Sequence, residues 1–435
     1  MNVKVDNKDG LMTDKLHSWH PFTIMSEYFS FPRISIERGK GCWIWDTEGN
    51  RYLDGNASVW TNVHGHSHPA LDGAIAKQLS KIAHSTWLGL SHPIASKLTD
   101  KLISVCRNCY QRIFFSDNGS NAVEIAIKQS FQYWQNQGKS QKQKVICLED
   151  SYHGDTFGTM SVGGTDRFHG RFSHWCFESI KLSHPEEGLE SSLNQLEKIL
   201  SDQSETIACF IVEPFVQGAA GMRLVSDCFL KASIKLCKKY QVQVIFDEIF
   251  VGFGRLGRII PSVSSGLKAD FICLGKGLSG GYLPLAATLT TEEVYQTFLG
   301  DFSEGKTFFH GHTFTANPLA SAVALENIYL LEPMIESGDL QRRISYFNKK
   351  INQHFLNHPL ISSINHSGFC ACLKLIDKDH APKLPRIALH FVLEARKKGL
   401  ILRPLGDAIL LVPPICISYS EIDFLCENLF KALQY

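Results

Sequence analysis

Between about residues 65 and 330 short apolar runs alternate with stretches of helical periodicity, and this alternation constrains the fold more than any other feature. Asn121 to Trp134 carries Val123, Ile127, Phe131 and Trp134 at spacings of three and four, which places them on one helix face. A second helix-like stretch lies between Met222 and Tyr240. Apart from Lys144 and Gln243, the runs Lys144–Leu148, Cys209–Val212, Val242–Phe246 and Phe271–Leu274 are apolar, as expected of strands buried on both faces. Strands alternating with helices predict an α/β fold, a parallel sheet covered by helices on both sides. Residues 1–60 are aromatic-rich and irregular, with a strand-like Cys42–Trp45, and are expected to form an arm packed on something else. Beyond about residue 335 helices and short strands mix, ending in a helix-like Ser420–Leu433, which predicts a smaller α+β domain. We place the divisions at residues 1–60, 61–330 and 331–435.

Composition narrows the partners. A formal net charge of +1 gives no footing for a long polyanion, so no nucleic acid is expected. The 13 cysteines sit mostly in apolar contexts such as Val145-Ile-Cys147-Leu, the pattern of reduced, buried thiols in a cytoplasmic protein. Cys106 and Cys109 form a single Cys-x-x-Cys with no second pair, so metal is not expected there. Neither a signal peptide nor a membrane-spanning run is apparent.

Gly252-Phe-Gly254-Arg-Leu-Gly257 matches the dinucleotide fingerprint in letters only. The strand before it ends in Asp247-Glu248, acids that would repel a pyrophosphate, and Pro261 follows where a helix should run. The glycines are expected to shape a tight loop.

The residues that carry chemistry lie at strand ends. Val242–Phe246 delivers Asp247 to the carboxyl edge of the sheet, where ligands bind in open α/β folds. Phe271–Leu274 delivers Lys276, between Gly275 and Gly277, to the same edge. A lysine with room for a planar partner, and an acid that can hold a protonated pyridine nitrogen, are what pyridoxal 5'-phosphate requires. The pair alone reads more readily as a surface lysine and a helix-capping aspartate. Gly119-Ser120, at the start of the Asn121–Trp134 helix, offers free N–H groups and a hydroxyl for a phosphate, although Ser120 or Asn121 could simply cap that helix. Tyr152, in Tyr152-His153-Gly154, follows strand Lys144–Leu148 and would bring a ring to the same edge.

Taken together, Tyr152-His-Gly-Asp-Thr156, Val212-Glu-Pro214, Asp247-Glu248, Gly252-Phe-Gly-Arg255 and Gly275-Lys276-Gly277 resemble the class III, or ω-, aminotransferases over roughly residues 17 to 430. Trp19-His-Pro-Phe22-Thr, Ser58-Val-Trp60, Lys306–Thr313 and Arg403-Pro-Leu-Gly406 are similar to the branch that aminates 8-amino-7-oxononanoate to 7,8-diaminononanoate in biotin biosynthesis. The resemblance implies pyridoxal-phosphate fold type I, aspartate-aminotransferase-like, with a mainly parallel seven-stranded sheet. It implies that Lys276 bonds the cofactor as a Schiff base, that Asp247 partners the pyridine nitrogen and that Gly119 and Ser120 hold the phosphate. His312 and Thr313 match a phosphate contact from a second subunit, which implies a homodimer. Trp60, Tyr152, Gly311 and Arg403 match substrate-contacting positions. The Arg403 guanidinium suits a carboxylate, and Arg255 is a further candidate for the substrate mouth.

This chain departs from that branch in having Val59 and Phe22 where a tryptophan and a tyrosine line the substrate pocket. Ser58-Val-Trp-x-Asn-Val-His-Gly-His66 resembles relatives that use lysine as amino donor, so lysine stands beside S-adenosylmethionine, the donor expected for the branch. Other class III activities, on ornithine, diamines or ω-amino acids, and an aminomutase on the same scaffold are the alternatives. His64, His66 and His68 alternate as metal ligands can, but Gly65 and Pro69 break the strand geometry and no metal is expected.

Overall fold

The computed structural model describes residues 7–28, 30–164, 166–376 and 386–434. Near the N-terminus β1 (Ile36–Lys40), β2 (Trp43–Asp46) and β3 (Arg51–Asp54) form an antiparallel meander. The large sheet then begins with β4 (Arg112–Ser116), followed by β5 (Lys144–Leu148), β6 (Ile180–Leu182) and β7 (Ile207–Val212). A two-stranded ladder of β8 (Val216–Gln217) and β9 (Arg223–Leu224) precedes β10 (Gln243–Asp247), β11 (Phe271–Leu274) and β12 (Ala286–Thr290). The large sheet has the order β4-β12-β11-β10-β7-β5-β6. Only β12 runs against its neighbours β11 and β4. The parallel strands are thus joined by crossovers, as the alternation in the sequence requires.

Every residue of β7, β10 and β11 is buried. Along β11 the two faces alternate: Phe271 and Cys273 join one apolar cluster, Ile272 and Leu274 the other. Continuous apolarity therefore reflects helices packed on both faces. Helix Gly119–Asn136 covers one face with Val123, Ala126 and Ile127. Helix Asp227–Lys239 contributes Phe229, Leu230 and Cys237 to the other.

The C-terminal part contains β13 (Ile361–Ser367), β14 (Cys370–Leu375), β15 (Leu400–Ile401), β16 (Arg403–Leu405) and β17 (Ala408–Leu411). Strands β13, β14, β17 and β16 form an antiparallel sheet, backed by helices Asp339–Phe355, Ile387–Lys397 and Tyr419–Ala432. Strand β15 pairs in parallel with β3, so the N-terminal meander completes its sheet with the C-terminal segment.

The Gly252–Gly257 motif is a run of turns, followed only by the four-residue helix Pro261–Ser264 rather than by a helix opening directly on the glycines. Gly254 at φ 89° and Gly257 at φ 78° take the backbone where side chains are disfavoured, as a tight loop demands. No helix among the described residues is long and apolar enough to cross a membrane.

Candidate active site

Three acid- and base-bearing strand ends converge at the carboxyl edge of the large sheet. Asp247, the last residue of β10, is 5% exposed. Its Oδ1 accepts the Ile249 N–H at 3.1 Å, and its Oδ2 faces His153 Nδ1 at 2.7 Å. Glu213, one residue beyond β7, accepts N–H groups from Tyr152 and Gly218, both at 3.1 Å. Burial pushes its carboxyl up to about 7, with Asp247 adding to the rise and His153 opposing it. Neither His153 nor Glu213 has a role in the sequence-based site. Nothing in the chain distinguishes a histidine facing a remote aspartate from one in a loop.

Lys276 lies two residues past β11, at φ 45° between Gly275 and Gly277, and opens a short 3-10 turn. Its neighbours from Phe271 to Gly280 are all buried, while Lys276 keeps part of its surface open to the cleft. Nζ sits 4.9 Å from the centroid of Trp60 and 5.5 Å from that of Phe250. No hydrogen bond or ion pair joins it to any described residue. Burial lowers its pKa, opposed by the charges of Asp247 and Glu213, which brings the neutral, nucleophilic amine closer to reach than in an exposed lysine. The turn after it is clasped by Asn327, whose Nδ2 donates to the Gly277 and Leu278 carbonyls, both at 2.9 Å.

At the other end, helix Gly119–Asn136 is capped by Asn118, whose side chain accepts the Asn121 N–H. This corrects the expectation that Ser120 or Asn121 caps it. Ser120 is left free to face the loop after β5, where its Oγ accepts the Asp155 N–H at 3.2 Å. Gly154, at φ 132°, makes that approach possible: a Cβ there would fall 1.9 Å from Ser120 Oγ. A Cβ on Gly119 would meet Ile249, two residues past Asp247, at 2.9 Å. The glycine turn and the Asp247 edge are therefore in contact.

Tyr152 donates its hydroxyl to Asp155 at 2.8 Å and stacks on His169, ring centroids 5.7 Å apart. Phe168 packs edge-on against both Tyr152 and Phe22. Arg403, at the start of β16, holds its guanidinium 5.7 Å from the Phe22 ring and pairs with no carboxylate of the described residues. Its partial burial lowers its pKa, and the nearby Tyr152 acts against that.

Arg255 is not at the substrate mouth. It is 2% exposed, and its Nη1 donates to the Phe369 and Pro413 carbonyls at 3.1 and 2.6 Å. A buried guanidinium there ties the turn just before β14 and the segment after β17 to the loop that follows β10.

Gly311, His312 and Thr313 lie in a loop on the outer surface. His310 Nδ1 meets Lys128 Nζ at 2.9 Å, and Gln132 donates to the Lys306 and Thr307 carbonyls. Gly311 and Thr313 are exposed, and among the described residues no bond joins these three to the Lys276 cluster of the same chain. His64 Nε2 donates to the Asn327 carbonyl at 3.2 Å, and His66 Nε2 meets Asp54 Oδ2 at 3.1 Å.

A family model described as aminotransferase class-III matches residues 25–433. The chain belongs to that family. It is 41% identical to the adenosylmethionine-8-amino-7-oxononanoate aminotransferase of Geobacter sulfurreducens, over 97% of this chain and 96% of the relative. Identity to the protein of the same name from Aquifex aeolicus is also 41%, with the same coverage. Among solved structures, the adenosylmethionine-8-amino-7-oxononanoate aminotransferase of Methanocaldococcus jannaschii superposes with a TM-score of 0.93 at 37% identity, covering 98% of this chain and 99% of that one. An omega transaminase from Pseudomonas jessenii, in complex with PMP, gives 0.90 at 28% identity, covering 97% of both chains. Class III aminotransferases are pyridoxal-phosphate-dependent transaminases, and this chain is one of them.

Proposed function

We propose that the chain transfers an amino group to 8-amino-7-oxononanoate, giving 7,8-diaminononanoate for biotin biosynthesis in the cytoplasm, with S-adenosylmethionine as the donor. The observation that carries the acceptor is Arg403. A half-buried guanidinium without a carboxylate partner, on the same side of the cleft as Tyr152, suits the terminal carboxylate of that ketone. The names of the relatives supply the substrate itself.

The residues present fit pyridoxal phosphate. Asp247 has lone pairs beyond those used by Ile249 and His153, so its carboxylate would hold the proton of a pyridine nitrogen. Ser120 and the first N–H groups of helix Gly119–Asn136 would hold the phosphate. Bound there, the group supplies an aldehyde that exchanges amino groups and a ring that spreads negative charge. Lys276 Nζ would hold the aldehyde carbon. Once displaced by a substrate amine, the same Nζ would take the proton from the donor carbon and return it elsewhere, which its lowered pKa favours. Trp60 and Phe250 would exclude water around it, and Arg403 would fix the acceptor's far end.

The second subunit enters through an exposed apolar face. Leu88 is 89% exposed, Phe309 79% and Phe314 56%, and His84 packs on Phe314 with centroids 4.8 Å apart. Exposed apolar rings on either side of the Gly311–Thr313 loop favour a homodimer in which His312 and Thr313 reach the partner's phosphate.

Purified protein with pyridoxal phosphate, 8-amino-7-oxononanoate and either S-adenosylmethionine or lysine tests the reading. The expected result is 7,8-diaminononanoate with S-adenosylmethionine. Product with lysine alone would replace the donor, since Val59 and its neighbours resemble lysine-using relatives. No product with either donor, alongside turnover of ornithine or a diamine, would overturn the acceptor.

A further inference from the structure

Between β3 and His64 the backbone does something side chains resist. Ala57, Ser58, Val59 and Trp60 have φ of 45°, 48°, 68° and 70°, so four consecutive non-glycine residues make a left-handed turn. Each such residue brings its Cβ against the following carbonyl, and the turn persists only if its surroundings over-determine it.

The surroundings converge on one side chain. Asp54, 2% exposed, accepts the Asn56 N–H on Oδ1 at 3.2 Å. On Oδ2 it accepts the Ser58 N–H at 3.0 Å and the Ser58 hydroxyl at 3.1 Å. His66 Nε2 approaches the same oxygen at 3.1 Å. The carboxylate is itself anchored where β3 meets β15, with Asp54 beside Ile401. A Cβ on Gly55 would strike Leu402 at 2.5 Å, so the base of the turn is wedged in place.

The outcome of the turn is the position of one ring. Trp60 packs on Phe250 at a centroid distance of 4.7 Å and lies 4.9 Å from Lys276 Nζ. Its Nε1 is buried and has no hydrogen-bond partner, so the turn and packing against Phe250, Gly218 and the neighbouring apolar cluster fix the indole. The far side of the turn is registered on the lysine loop: Val63 N–H donates to the Gly280 carbonyl at 3.3 Å, and a Cβ on Gly281 would meet Asn62 at 2.9 Å.

We infer that Asp54 is a positioning residue for the amino-transfer site: by holding residues 57–60 in a left-handed turn, its carboxylate sets the Trp60 indole over Lys276. It touches neither Lys276 nor, in the proposed reading, the substrate. The inference rests on Lys276 as the reacting amine and Trp60 as a wall of its pocket.

A double-mutant cycle of Asp54→Asn and Trp60→Ala tests it in the holoenzyme. Trp60→Ala is expected to lower kcat/KM about tenfold or more, and Asp54→Asn to do about the same. Combined, the two should cost little beyond either alone, about twofold. A second readout uses the cofactor-free protein: reductive methylation of Lys276 with formaldehyde, followed against pH by mass spectrometry. Burial favours the neutral amine while the indole face favours the ammonium, so its midpoint should shift in the same direction in each single variant and no further in the double.

If Trp60→Ala changes neither readout, Trp60 is no wall of the site, and that reading and this inference fall together. If Trp60→Ala acts but the two losses multiply, the site reading stands and the role of Asp54 is overturned. Should Asp54→Asn lower the melting temperature too far for assay, Ser58→Ala removes one arm of the clamp with little change in shape. Its losses must then be absent in the Trp60→Ala background, and multiplying losses would again overturn the role of Asp54.

Discussion

His153 Nδ1 lies 2.7 Å from Asp247 Oδ2, with 0% and 6% of the two side chains exposed. The aspartate accepts, so Nδ1 carries the proton of this bond, and His153 Nε2 is left buried and without a partner. A carboxylate meant to hold a pyridine nitrogen is thereby fixed from the other side. Replacing His153 with Ala leaves Asp247 buried without this donor, a loss of about 1.5–3 kcal/mol. The expected result is a fall of about 10- to 100-fold in cofactor affinity, measured by titrating cofactor-free protein with pyridoxal phosphate. Unchanged affinity would show that Asp247 needs no such support.

Arg403 faces Phe22 and no acid. Replacing it with Ala is expected to raise KM for 8-amino-7-oxononanoate by about 100-fold, while amino transfer from a donor lacking that carboxylate changes little. Arg403→Lys should recover only part of the loss, because an ammonium cannot meet both carboxylate oxygens in the plane of a guanidinium. Equal losses on every substrate would place Arg403 outside the binding of that group.

Gly154 admits Ser120 to the loop after β5. An alanine there adds a methyl 1.9 Å from Ser120 Oγ and also strains a backbone at φ 132°. Gly154→Ala should weaken pyridoxal phosphate binding by about tenfold or more, with pyridoxal lacking the phosphate affected far less. Comparing the two ligands by fluorescence titration checks this.

Glu248 is fully buried, accepts the Ser262 N–H with one oxygen and leaves the other unpartnered. Burial pushes its carboxyl up to about 7. The folded state therefore binds a proton that the unfolded chain has released at lower pH. This group's contribution to stability is present below an ordinary carboxyl pKa and is lost as pH rises to about 7. Glu248→Gln removes the titration, so the variant should gain on the wild type between pH 4.5 and 7, by up to about 3 kcal/mol. Urea unfolding at pH 5 and pH 8 measures it, and an equal gap at both values would refute it.

Much of this molecule is readable from residue order because its central strands are buried on both sides. Lys144–Leu148 and Phe271–Leu274 appear in the structure at the bounds their apolar runs suggest. The ends of β10 and β11 carry Asp247 and Lys276 to one edge, since parallel strands share a direction. Strand β12 escapes notice because Ala286-Ala-Thr-Leu-Thr290 is weakly apolar, and its antiparallel pairing follows from the turn at Gly280-Gly281, which no periodicity reveals. The cap of helix Gly119–Asn136 lies two or three residues before the expected Ser120 or Asn121, because Asn118, Ser120 and Asn121 are all competent caps. His153 and Glu213 act through partners distant in the chain, and Arg255 shows the reverse error. A charged residue in a suggestive motif turns out to be spent on two carbonyls.

The pairing of β3 with β15 also imposes an order in time. Leu53 sits beside Leu400, and a ribosome adding roughly 5–20 residues per second needs about 20 to 70 seconds to travel between them. Throughout that interval the first meander carries an open edge, with Leu53 destined for full burial and nothing yet made to cover it. Nascent chains halted before residue 400 are the ones that would need a chaperone's shelter, while release of the last helices closes the edge for good.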